Sequence, residues 1–232
     1  MCFSTTASVG AGVALGILGV ISVKKAKEPS EYVLAALPFL FSIQQFTEGA
    51  VWMSLTHNSW EGLRTAATIG FLIIAQALWP LFLPIAILRF EKDPLRKKII
   101  RLFLGAGIVV ACYFLYCMFT FGINASILND HIFYKLDYPP SLIPIAAGFY
   151  LTATIGPPLA SKNFKVQMMG ILILISYVIT RLFFQPALVS VWCFFGTAIG
   201  ILIYVVLSEK QTSKRNFAMA INEKSRDKQI PD

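Results

Sequence analysis

Charge is scarce in this chain: charged residues make up 14% of 232, against 56% apolar residues, and mean hydropathy is +0.68. Soluble domains carry roughly 25% charge and about 45–50% apolar residues. A water-soluble domain is therefore excluded, and so is disorder, except toward the C-terminal end. Histidine is scarcer still. With His57 and His131 alone, no three-histidine zinc site exists, and a bis-histidine haem would need both, neither within an apolar run. The four cysteines, Cys2, Cys112, Cys117 and Cys193, form no CxxC pair. There is no GxSxG elbow, HExxH helix or P-loop. The last apolar run has no lysine for a retinal Schiff base. No basic segment precedes the first apolar run, so a cleavable signal peptide is not expected.

What the chain does have is long apolar runs. Crossing the hydrocarbon takes about 20 apolar residues in a helix, and a backbone in lipid must satisfy its own hydrogen bonds. Seven runs qualify: about 5–23, 32–56, 64–88, 99–121, 141–160, 166–184 and 187–207. The expected fold is an all-α, polytopic seven-helix bundle over 1–207. A basic tail, 208–232, is expected to be disordered and cytoplasmic. The segment 122–140 reads as a loop.

Seventeen of the twenty lysines and arginines lie in the first, third and fifth loops and the tail; only Arg64, Lys135 and Arg181 lie on the other side. The positive-inside rule then places the N-terminus outside and the C-terminus in the cytoplasm. The net charge of +8 sits at the ends of apolar runs, which points to the lipid bilayer as partner and not to nucleic acid. Gly12 and Gly16, and Gly196 and Gly200, are spaced four apart and suggest a homo-oligomer through the small-residue faces of helices 1 and 7. Pro38, Pro80, Pro84 and Pro144 should kink or cap their runs.

A charge within a membrane helix is costly and marks a site or a clamp. Gln45, Glu48 and Trp52 fall at i, i+3 and i+7, with Gln44 one turn before Glu48, so they share a face directed into the bundle. One reading is a ligand site; the other is hydrogen-bonding glue between helices. Arg181, one turn after Tyr177, is either the ion-pair partner of Glu48 or an interfacial residue whose tip reaches lipid phosphate. The same topology brings His131 and Tyr134 of the long outer loop, and Trp192 at the start of the last run, to this level. Cys2, Ser4 and Cys193 form a weaker set that would serve as metal ligands or nucleophiles. Asn124-Ala125-Ser126 is a glycosylation sequon.

The segments MCFSTTAS, LPFLFSIQQFTEGAVW, HIFYKLDYPP, TIGPPLAS and SVWCFFGTAIGILIY resemble a family of uncharacterised bacterial membrane proteins beginning Met-Cys-Phe-Ser, a domain of unknown function. The resemblance spans nearly the whole chain before the tail. It implies a seven-helix inner-membrane protein and supplies no activity or cofactor. Its motifs contain Cys2, Ser4, Gln44, Gln45, Glu48, Trp52, His131, Tyr134, Trp192 and Cys193. The expected function is binding or sensing of a small ligand, ion or lipid head group in a polar pocket open to the outer face. Two alternatives stand beside it: an intramembrane enzyme of lipid or redox chemistry, with or without a metal, and a structural or accessory subunit.

Overall fold

The computed structural model describes residues 4–184, 188–190, 196 and 198–208. The tail beyond Ser208, and with it the expectation of disorder there, lies outside the described residues. So do Cys2, Trp192 and Cys193. Among the described residues, five helical segments are long and apolar enough to cross a membrane: Thr5–Lys25, Asn58–Phe90, Pro94–Thr120, Ile143–Ala160 and Phe164–Phe183.

α1 (Thr5–Lys25) begins at Ser4, whose hydroxyl accepts the Ala7 N–H at 3.2 Å and so caps the helix. The run 32–56, expected as one helix, is divided at Ala36 into α2 (Pro29–Ala35) and α3 (Leu37–Thr56). Pro38 is the cause. It has no N–H to return to the Leu34 carbonyl, so the helix restarts with Pro38 in its first turn, where a missing donor costs nothing. α1 lies along α3 through its glycines: side chains at Gly12, Gly16 and Gly19 would press on Phe46, Ser42 and Phe39. The Ser42 hydroxyl donates to the Gly12 carbonyl at 2.7 Å. Gly196 and Gly200 close similarly on Phe41 and on Leu15 and Leu18. These glycines thus serve close packing within the chain.

The run expected as a helix over 64–88 is one continuous but irregular segment. A 3₁₀ turn (Asn58–Leu63) leads into α4 (Arg64–Leu72), then a π turn (Ile73–Leu78), then α5 (Trp79–Phe90). In the π turn the Trp79 N–H donates to Ile74, so the Ala75 carbonyl loses its α-helical donor. The Tyr150 hydroxyl takes it at 2.6 Å. Further on, Pro84 withdraws the donor that the Pro80 carbonyl would have used. α6 (Pro94–Thr120) approaches that carbonyl at Gly107, where a Cβ would collide with the Pro80 oxygen. Glycine is needed here for close approach.

The segment expected as a loop over 122–140 folds as an antiparallel hairpin, β1 (Ile123–Leu128) and β2 (His131–Leu136). Asn129 and Asp130 both have positive φ, 49° and 59°, as a two-residue type I′ connection requires. Paired residues share a face, so Ala125 and Ile127 lie with Tyr134 and Ile132. Ala125, Ile132 and Tyr134 are buried against Val51, Trp52, Phe71 and Leu72. The hairpin therefore caps the end of α3 and α4. After it come α7 (Ile143–Ala160), α8 (Phe164–Phe183) and the shorter apolar helix α9 (Ala198–Ser208). Pro144 sits in the first turn of α7, a cap position.

At the other end, Glu91 joins two loops. It is 6% exposed, and its carboxylate accepts the N–H groups of Lys92 (2.8 Å), Asp93 (3.0 Å) and Lys162 (2.7 Å) and the Ser161 hydroxyl (2.8 Å). Burial alone would raise its pKa, but these four donors outweigh it and the net shift is downward. The Arg96 guanidinium donates to the Ala160 carbonyl at 3.3 Å, and Lys92 pairs with Glu28 at 3.7 Å. The 26–28, 91–93 and 161–163 loops are thereby held at one end.

Two outcomes follow for purified protein in detergent. Gly107→Ala should lower thermal stability by about 1–3 kcal/mol or more, since a backbone carbonyl cannot step aside. Gly105→Ala, on the open side of the same helix, should leave it unchanged or slightly raised. Glu91→Gln should cost about 1–3 kcal/mol, because an amide nitrogen cannot accept the donors on that side. Because the folded pKa is lowered, the Glu91 contribution is present above the ordinary value of 4.5 and lost as pH falls below it. The wild-type chain should therefore lose stability with acid over a range where Glu91→Gln is flatter.

Candidate functional site

The polar face of α3 divides between two jobs. Gln44, fully buried, accepts the indole N–H of Trp79 at 2.6 Å, and the Trp79 ring lies 4.0 Å from that of Phe41. Gln44 thus faces α5 and fixes a tryptophan. Its neighbour Gln45 is 1% exposed, and both its amide oxygen and nitrogen lack a hydrogen-bond partner among the described residues. Glu48 is fully buried and accepts a hydrogen bond from the Ser190 hydroxyl. Trp52, one turn on, is 4% exposed, and its indole N–H has no partner among the described residues. Gln45, Glu48 and Trp52 occupy one face, as their i, i+3, i+7 spacing requires.

Neighbouring elements close around this face. Ser8 of α1 is buried beside Gly49, where a Cβ would lie 3.7 Å from its own. From α4 comes Thr68, 2% exposed with a hydroxyl that has no partner among the described residues, one turn before the Phe71 and Leu72 that pack on Trp52. The Tyr134 ring stacks on Phe71 with centroids 4.9 Å apart and planes 10° apart. Residues of α1, α3, α4, the hairpin and Ser190 therefore converge at the capped end. A second polar link ties the hairpin's end to the π turn: the Tyr138 hydroxyl donates to the Gln76 side chain at 3.0 Å. Burial, with Cys117 and Tyr113 nearby, raises the Tyr138 pKa above the usual phenol range, so it remains a donor.

Other expected members lie apart. His131 and Tyr134 are three residues apart in one strand, so they point to opposite faces of the hairpin. His131 packs edge-on to Phe184 at 5.5 Å, and burial lowers its pKa against the opposing pull of Asp130. Arg181 is exposed on the last turn of α8 and makes no ion pair with Glu48. The ion pairs described are Arg64–Glu61, Lys92–Glu28 and Lys135–Asp137. Tyr177 is half-buried on α8, and Ser4 is committed to capping α1. Among the described residues no three of His, Cys, Asp and Glu converge as a metal site; Cys112 and Cys117 are free thiols.

The model of a family of unknown function, DUF6629, matches residues 1–218. The chain belongs to this family. No curated protein and no solved structure matches it. The match spans every described element, so the α3 face and the hairpin both fall inside the DUF6629 region.

Sequence reasoning missed Thr68, Gln76, Tyr138 and Glu91. Gln76 had a usable signal: proline at 80 and 84 foretells freed carbonyls and an irregular turn just before them. Glu91 had none, lying in a basic stretch that reads as solvated.

The Ser190–Glu48 bond gives a direct check. Ser190→Ala and Glu48→Gln should each destabilise by about 1–2 kcal/mol, and the double variant should cost less than the two together, as a double-mutant cycle of melting temperatures will read.

Proposed function

We propose that this DUF6629 chain is a seven-span inner-membrane protein, N-terminus outside and C-terminus cytoplasmic, that binds or senses a small polar ligand at its outer end. Five long apolar helices support the membrane assignment. The run over 29–56 and the apolar helix α9 are the two further candidates for crossing. Sidedness is supported by the three lysine-rich loops, which Glu91 and the Lys92–Glu28 pair gather at one end, opposite the hairpin.

The observation that carries the ligand reading is the orphaned polarity of one site. The Gln45 amide and the Trp52 indole N–H are at least nine-tenths buried and lack partners among the described residues, next to a buried Glu48. Each unmatched buried group costs about 1–3 kcal/mol. A ligand offering an acceptor to Trp52 and both a donor and an acceptor to Gln45 removes that penalty. The hairpin, packed over Trp52 and Phe71, closes the site from the aqueous side.

Native mass spectrometry of the full chain in detergent, set against its denatured mass, tests this. The wild-type chain should retain a stoichiometric small-molecule adduct that Gln45→Leu and Trp52→Phe lose. Ligand-free Gln45→Leu should melt no lower than ligand-free wild type, because it removes an unmatched amide. An adduct-free wild-type chain, combined with a sharply destabilised Gln45→Leu, would make Gln45 an architectural residue and overturn the proposal.

A further inference from the structure

We propose that α6 carries a discrete site for one anionic phospholipid, its phosphate at Lys98 and Arg101 and an acyl chain ending in a cavity between α6 and α7. The carboxylates at the loop-clamped end are spent on backbone donors. Glu91 takes three N–H groups, Glu31 takes those of Lys27 and Glu28, and Asp93 takes those of Leu95 and Arg96. Lys98 and Arg101, both exposed, therefore make no ion pair with a described carboxylate. A positive surface whose acids are already satisfied selects an anion.

The same helix selects the rest of the molecule. Leu102, one turn beyond Lys98, is 75% exposed, and nothing lies within 4 Å of a Cβ placed at Gly105. Val109 follows, 57% exposed, and lines a cavity of about 130 Å³ with Tyr113, Ala146 and Phe149. α6 and α7 run antiparallel along this path, with Arg96 against Ala160, Phe103 against Gly156 and Gly107 against Ala153. Lys98 and Val109 are eleven residues apart, three helical turns, so they lie on one face about 16 Å apart. That is about half of the roughly 30 Å hydrocarbon core, the depth that the chains of one leaflet reach. Cation and apolar cavity are thus placed as the phosphate and chain end of one lipid are. A soluble polyanion would use the charge and leave the cavity.

The test uses the full chain, exchanged in detergent against phosphatidylglycerol or phosphatidylcholine with identical acyl chains and weighed by native mass spectrometry. One phosphatidylglycerol per chain should be retained where phosphatidylcholine is lost. Lys98→Gln/Arg101→Gln should weaken retention about ten-fold. Val109→Trp, which fills the cavity from an exposed position, should weaken it without changing charge. Lys24→Gln/Lys25→Gln, on α1, should leave it unchanged. Equal retention of the two lipids, an equal loss in the α1 variant, or no effect of Val109→Trp would each overturn the site. The first removes charge selection, the second makes the attraction diffuse, and the third empties the cavity of the chain.

Discussion

A backbone removed from water must find a partner for every carbonyl, and the segment from Asn58 to Phe90 is where that constraint is hardest to meet. It is the most buried of the long apolar segments, and its prolines at 80 and 84 each withdraw an N–H. The surroundings are arranged by the answers. Tyr150 comes in from α7 to the carbonyl released by the π turn, and α6 carries a glycine opposite Pro80. The π turn also turns Gln76 toward Tyr138 and Trp79 toward Gln44. Helix positions on three sides of α5 follow from two missing donors.

The same rule separates the two ends of the molecule. At the lysine-rich end, buried carboxylates are fully answered: Glu91 has four donors and Glu31 has two backbone N–H groups. At the hairpin end, an amide and an indole N–H are left unanswered within an otherwise well-packed cluster. One end has its buried acids answered, although the Ser22 hydroxyl there is buried without a partner among the described residues. The other holds polarity in reserve, which is the physical content of a binding site.

Much of the helical plan was legible, because apolar runs near 20 residues leave the backbone little else to do. The expected runs over 5–23, 141–160 and 166–184 lie close to α1, α7 and α8. The face shared by Gln45, Glu48 and Trp52 was legible from spacing alone. Which partner each residue meets was not: adjacent Gln44 and Gln45 differ entirely in fate, and periodicity is silent on what stands opposite. The hairpin was hidden because its alternation is short and mixed with lysine, histidine and asparagine. Its buried face acquires meaning only under Trp52 and Phe71. For Arg181 two readings stood open, and the ion pair with Glu48 is not formed, because matched depth does not establish matched direction.

The Glu91 clamp also has a place in time. Its donors on Ser161 and Lys162 lie 70 and 71 residues further along the chain. At a synthesis rate of about 5–20 residues per second, they emerge roughly 4–14 s after Glu91 itself. During that interval the carboxylate has only the N–H groups of its own loop and water. It is buried once the α7–α8 hairpin arrives, so the bond that locks the lysine-rich end belongs to a late step of assembly.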